Sequence, residues 1–244
     1  MPKVPKWMAN AMESLFSGMY HPVKVIAIED LQPRLRKIRF EGDFANVKKE
    51  FIPGNVIEFR ISDTEFRHYT PSYFNREAGV CDVLFYLHDK GPGSKWVENL
   101  KVGNKLNLLG PGGKIRYNPE FKIHIAFGDE TSLGSFVCIK NETEIQNHQF
   151  FGIAELDHKN KHWTQVLGLD VFTVSKDEST KANNAILKLE ELLKQENLNK
   201  SETSFYLTGN AKSILSIKKF LIGNGFTSKQ IQTEPYWVEG KTGL

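Results

Sequence analysis

From residue 23 to residue 116 the apolar positions come in short runs with β-branched or period-two character, at 23–29, 35–40, 56–61, 68–74, 81–87 and 105–109. Turn-forming residues punctuate them, as in Pro53-Gly54-Asn55 and Val102-Gly103-Asn104. Six strands at this spacing predict an antiparallel β-barrel, closed so that no edge is left open. A short helix over 94–100 interrupts them. Ahead of the barrel, Trp7, Met8, Met12, Leu15 and Phe16 recur at helical spacing, so 6–16 predicts an amphipathic helix packed on the barrel.

The texture changes after Gly110-Pro111-Gly112-Gly113. Continuous apolar runs at 121–127, 149–155, 171–175, 204–208 and 230–238 alternate with helical stretches, the clearest at 183–195 and 211–224. Strands too apolar to alternate, interleaved with helices, predict a parallel sheet covered on both faces. The expected division is an N-terminal helix at 1–17, a β-barrel domain at 18–115 and an α/β domain at 116–244.

Composition narrows the function classes. With 32 basic and 29 acidic residues the net charge is only +3, too balanced for a nucleic-acid binder. Cys81 and Cys138 stand far apart in apolar runs, which predicts buried free thiols and no metal site. No apolar run approaches the ~18 residues of a membrane span. Asn10, Glu13 and Ser14 break up the N-terminal stretch, so no signal peptide is expected and the reading is cytoplasmic.

Two stretches carry candidate chemistry. In Arg67-His68-Tyr69-Thr70, at the start of a strand, an arginine fork suits a pyrophosphate, a tyrosine ring suits a flat heterocycle, and a hydroxyl can bond a ring nitrogen. Alternation puts Arg67 and Tyr69 on one side and His68 and Thr70 on the other, unless a bend re-aims them. The second stretch runs from His88 through Gly91, Gly93 and Ser94 to Trp96. Its glycines permit close backbone approach, and Ser94 is a suitable helix N-cap, so the first helical turn forms an anion site.

The chain resembles the siderophore-interacting protein family, FAD-dependent ferric-siderophore reductases in the ferredoxin-reductase-like superfamily. Four stretches carry the likeness: Arg67–Thr70, His88–Trp96, Gly128-Asp129-Glu130-Thr131, and the ending Tyr236-Trp237-Val238-Glu239-Gly240. The resemblance implies FAD, with Arg67 on its phosphates, Tyr69 packed on the ring and Thr70 at its redox-active edge. It implies that His88, Gly91, Gly93, Ser94 and Trp96 hold the pyrophosphate and adenosine side. Asp129, Glu130, Thr131 and Ser132 would close over the flavin, and Trp237 is a further candidate contact. Taken as residues alone, Asp129-Glu130-Thr131 is a plain capping sequence.

Two positions depart from the family pattern. Ser72 stands where a second arginine is frequent, and Thr208-Gly209-Asn210 replaces Ala-Gly-Glu. The resemblance further implies NADPH or NADH as electron donor, or a ferredoxin. Glu155, ending a strand, suits an adenosine ribose and NADH, whereas His158, Lys159 or Lys212 suit a 2′-phosphate. The expected substrate is a ferric siderophore, with Lys114, Arg116 and Lys241 as candidates for the anionic chelate. No acid–base group beyond the flavin is required. A different flavin reductase or ferredoxin-type electron-transfer protein, and a non-catalytic flavin or iron-chelate binder, remain as alternatives.

Overall fold

A computed structural model describes residues 5–15, 20–45, 47, 49–89, 91–177, 181–195 and 198–241. The chain forms two compact units, Met1–Gly113 with Gly240–Leu244, and Lys114–Glu239.

The first unit holds helix α1 (Lys6–Leu15), strands β1 (Tyr20–Gln32), β2 (Leu35–Gly42), β3 (Val56–Ser62), β4 (Glu65–Tyr69), β5 (Pro71–Asn75) and β6 (Val80–Tyr86), helix α2 (Pro92–Asn99) and strand β7 (Lys105–Gly112). Its sheet is antiparallel, in the order β4-β3-β7-β1-β2-β6-β5. Six strands in a closed barrel were expected; there are seven, and the ladder is open among the described residues. The run at 68–74 is split by Thr70, with β4 pairing to β3 and β5 pairing to β6. Pro71 explains the break, since it has no N–H for a ladder and belongs on an edge strand. Because β4 and β5 are consecutive, the two ends of the sheet meet covalently at Thr70 rather than through hydrogen bonds. Inside lie Val25, Ile38, Phe40, Phe59, Cys81, Val83 and Phe85.

Helix α1 differs from its expected packing. Trp7 is 70% exposed, and the described ties to the sheet are polar, from Lys6 to Asp63 at 2.8 Å and from Arg60 to Asn10 at 3.0 Å. Phe16 and the side chains of Met12 and Leu15 lie outside the described residues.

The second unit alternates strand and helix: β8 (Ile123–Gly128), α3 (Leu133–Ile145), β9 (Gln149–Leu156), α4 (Trp163–Val166), β10 (Phe172–Ser175), α5 (Asn183–Gln195), β11 (Thr203–Asn210), α6 (Ala211–Gly223) and β12 (Ile231–Trp237). All five strands are parallel, in the order β10-β9-β8-β11-β12. Every residue of β8 and β11 is buried, which is why neither strand alternates. The order reverses at β8, so the carboxyl ends of β8, β9 and β11 form a topological switch point. Both cysteines are buried free thiols. No helix among the described residues is long and apolar enough to cross a membrane.

At the opposite end of this sheet a histidine sets an acid limit on stability. His124 is fully buried, its Nδ1 2.9 Å from Tyr206 Oη and its Nε2 3.1 Å from the Phe121 carbonyl. Burial, with His148 3.2 Å away, pushes it from 6.5 down to about 4. The unfolded chain takes the proton below pH 6.5 while the folded one refuses it until about pH 4. Stability is therefore full above pH 6.5 and falls as pH drops to 4, by about 3 kcal/mol at ~1.4 kcal/mol per pH unit. Urea titrations at pH 7 and pH 4.5 should show His124→Gln losing less stability on acidification than the parent protein. Equal losses would refute the assignment.

Candidate functional site

The Arg67 strand and the glycine loop come together within the first unit. A Cβ built on Gly93 would lie 2.9 Å from Tyr69 Oη and 3.8 Å from Arg67 Cγ. Only a residue without a side chain lets the start of α2 approach β4 so closely. The first N–H groups of this helix belong to Gly93 and Ser94, because Pro92 has none. Arginine, tyrosine and a helix N-terminus thus share one small region, the donor set that a pyrophosphate joined to a flat ring requires.

Tyr69 is partly buried in an aromatic cluster. Its ring is 4.7 Å from Phe85, and 6.4 Å from Trp96 at an interplanar angle of 14°. Trp96 in turn packs on Phe59 at 5.4 Å. Burial pushes the Tyr69 hydroxyl well above its ordinary range, so it stays protonated. Arg67 is aimed by its own strand, donating to the Phe66 carbonyl at 2.7 Å and to Glu65 Oε1 at 3.2 Å. Thr70 is buried at the corner between β4 and β5.

Other expected residues take different places. His68 is turned to Glu58 of β3, its Nε2 2.7 Å from Oε2. Ser94 is not the N-cap: Gly91 is, and the proline at the first helical position starts the helix ahead of Ser94. The Ser94 hydroxyl instead accepts from the His88 backbone N–H at 3.1 Å and closes the loop. Gly91 lies against the His88 ring, with a built Cβ 3.3 Å from Cε1. Ser72 is buried and donates to the Asp82 carbonyl. Arg39 of β2 is bonded twice to the Asp82 carboxylate, at 2.6 and 2.7 Å. Glu58 and Arg39 had no sequence signal, since each acts through a strand pairing, and Glu65 acts two residues along its own strand.

In the second unit the two terminal motifs are one structure. Asp129, at the carboxyl end of β8, accepts from Trp237 Nε1 at 2.7 Å and from the Asn210 N–H at 3.0 Å through Oδ2. Its Oδ1 accepts from the Thr131 N–H at 2.9 Å and from the Thr131 hydroxyl, and Ser132 completes a capping box. Burial pushes the Asp129 carboxyl up, while the Thr131 and Trp237 donors pull it down. Glu130 is buried as well and accepts from the Asp157 N–H, Asn160 Nδ2 and Lys176 Nζ. The capping reading of this sequence is thus realised inside the unit. Asn210, where the family pattern has an acid, caps α6 by accepting from Lys212 and Ser213 N–H.

Glu155 is buried at the end of β9, and Oε2 accepts from Ser213 Oγ at 3.0 Å. Lys212 is bound to Glu239 at 3.1 Å. The Lys114 and Arg116 side chains are exposed, with their backbone N–H groups held by Glu234 and Gln232; Lys241 is exposed in the first unit.

The fold and this site define a flavin-binding unit joined to a doubly wound unit, the layout of flavin-dependent reductases. The chain matches the siderophore-interacting FAD-binding domain over residues 58–115 and the siderophore-interacting protein model over 121–240, and it belongs to that family. Among solved structures it is similar to the siderophore-interacting protein of Acinetobacter baumannii, at 17% identity and TM-score 0.73 over 91% of this chain and 92% of that one. The ferredoxin reductase of carbazole 1,9a-dioxygenase is similar too, at 18% identity and TM-score 0.72 over 89% of this chain and 69% of that one. NADH-cytochrome b5 reductase 1 of Dictyostelium discoideum is 35% identical over 57 residues, covering 23% of this chain and 20% of that protein's length.

Proposed function

We propose that this chain reduces ferric iron held by a siderophore, taking electrons from NAD(P)H or a reduced ferredoxin and releasing Fe(II). Family membership supports a flavin oxidoreductase. The single observation that carries the flavin site is the meeting of Gly93 with Tyr69 and Arg67. The residues fit the group: Arg67 and the Gly93 and Ser94 N–H groups supply donors for its phosphates. Tyr69 supplies a ring face, held by Phe85 and Trp96, and Thr70 a hydroxyl at the strand corner. FAD, when bound, accepts a hydride and returns single electrons, the redox chemistry that side chains lack.

The protein's own part is to bind, orient and exclude water. The Phe59–Tyr69–Phe85–Trp96 cluster keeps water from one side of the ring position and keeps the Tyr69 hydroxyl from ionising. Lys114, Arg116 and Lys241 are proposed to attract the anionic chelate. Asp129, Thr131, Ser132 and Trp237 are proposed as cofactor-binding residues at the carboxyl ends of the parallel strands, His68 to steady β4 through Glu58, and His88 to shape the phosphate loop. Buried free thiols and the absence of a spanning helix among the described residues are in keeping with action in the cytoplasm.

Anaerobic stopped-flow spectroscopy tests the reading. NADH, NADPH or reduced ferredoxin should bleach the flavin, and ferric siderophores should restore its colour with formation of Fe(II). Reoxidation by cytochrome or ferredoxin but by no ferric chelate would instead make this a different electron-transfer reductase. A protein that takes up flavin yet is reduced by no donor would be a binder only.

A further inference from the structure

Among its described side chains, helix α1 turns the apolar ones to solvent and the polar ones to the sheet. At about 3.6 residues per turn, positions 7, 8, 11, 12 and 15 fall within one arc of about 140°, and all five are apolar. Positions 6, 10, 13 and 14 make up the opposite, polar arc. A surface helix ordinarily buries the first kind of arc and exposes the second. Here Lys6 Nζ lies 2.8 Å from Asp63 Oδ2, and Arg60 Nη2 donates to Asn10 Oδ1 at 3.0 Å. Trp7 is 70% exposed and Met8 37%, and Ala11 is exposed as well.

The size and the charge of this arc say what covers it. Ten residues rise about 15 Å, and an arc about 10 Å wide offers on the order of 200 Å². That is far below the ~800 Å² per partner of a stable protein–protein interface, so the arc is too small to hold a second copy of this chain. It does carry an indole beside cations. Through residue 19 the sequence has Lys3, Lys6 and a single acid, Glu13, whose position lies on the polar arc. Lys6 keeps 62% of its side chain exposed while paired with Asp63. An indole suits the boundary between headgroups and acyl chains, where its face meets hydrocarbon and its N–H meets water. Lysines beside it meet anionic headgroups.

We propose that α1 is an interfacial anchor that lays the first unit on an anionic lipid surface, with Trp7, Met8 and Ala11 entering the boundary between headgroups and acyl chains. The contacts of Lys6 and Asn10 with Asp63 and Arg60 hold the helix on the sheet and leave the apolar arc turned outward. The helix lies on the bilayer and does not cross it, since about 15 Å is half of the ~30 Å hydrocarbon core. Binding of this kind is reversible, because it rests on a few apolar side chains and two lysines rather than on a buried span.

Co-sedimentation of the full chain with vesicles tests this, using phosphatidylcholine alone and phosphatidylcholine mixed with phosphatidylglycerol. The parent should bind the mixed vesicles at least about tenfold more tightly than those without anionic lipid. Trp7→Ala/Met8→Ala should lose about thirtyfold in binding to the mixed vesicles. Its urea midpoint should match the parent's, because both side chains are exposed in the folded chain. Trp7→Phe, which keeps an apolar ring, should retain most of the binding. A parent that binds neither vesicle would overturn the inference, and so would a double variant that binds as the parent does. Equal binding to the two vesicle types would overturn it as well. Gel filtration that shows a parent dimer and a monomeric double variant would give the arc to a second copy and overturn the lipid assignment.

Discussion

Replacing Asp129 with alanine is expected to destabilise the second unit by about 4 kcal/mol, a large share of the 5–15 kcal/mol that holds an ordinary domain. The loss has a definite origin. Asp129 is 3% exposed and receives four donors, from the Thr131 N–H and hydroxyl, the Asn210 N–H and Trp237 Nε1. Alanine strands the Asn210 and Trp237 donors, each costing ~1–3 kcal/mol when buried without an acceptor. Gly209 shows how tightly the carboxylate is enclosed: it has φ +95°, and a Cβ there would lie 2.6 Å from Asp129 Oδ2. Urea denaturation followed by tryptophan fluorescence reads the loss, since Trp163 and Trp237 both belong to this unit. A loss under about 1 kcal/mol would show that water replaces the carboxylate without cost. The same substitution should free the Trp237 indole, and the tryptophan emission of the folded protein reports it.

That hub marks where sequence patterns stop being informative. The parallel sheet was legible because β8 and β11 are buried along their whole length and read as unbroken apolar runs. The Gly-Asp-Glu-Thr and Tyr-Trp motifs were each visible, but nothing local says that residues 108 positions apart share a hydrogen bond. The strand count of the barrel-like sheet was missed for a related reason. His68 to Phe74 reads as one strand, and the change of partner at Thr70 depends on which strands lie on either side. Ser94 was assigned to the helix cap from residue type, whereas Pro92 sets the helix start and leaves Ser94 to close the loop behind it. Local periodicity reports burial, and site geometry is set by pairings that periodicity does not encode.

The flavin site itself should be most sensitive at its smallest residue. Gly93→Ala is expected to weaken FAD binding about thirtyfold while barely changing stability. The added methyl would sit 2.9 Å from Tyr69 Oη, closer than carbon and oxygen tolerate without displacement. Tyr69 has little room to yield, being held by Phe85 at 4.7 Å and by Phe59 and Trp96 at 6.4 Å. Forcing a packed side chain aside costs ~1–3 kcal/mol, and about 2 kcal/mol is thirtyfold in affinity. Gly93 lies inside α2 and outside the left-handed region, so alanine also gains up to ~1 kcal/mol of helix propensity, which offsets the strain in the folded protein. The double variant separates this clash from a general disturbance of the loop. Tyr69→Phe removes the hydroxyl that the methyl meets, so in the Gly93→Ala background it should restore most of the lost affinity, although alone it gains nothing. Flavin fluorescence titrations of the four proteins form the cycle. If the double variant binds FAD no better than Gly93→Ala, the contact between the helix start and Tyr69 is not what shapes the site.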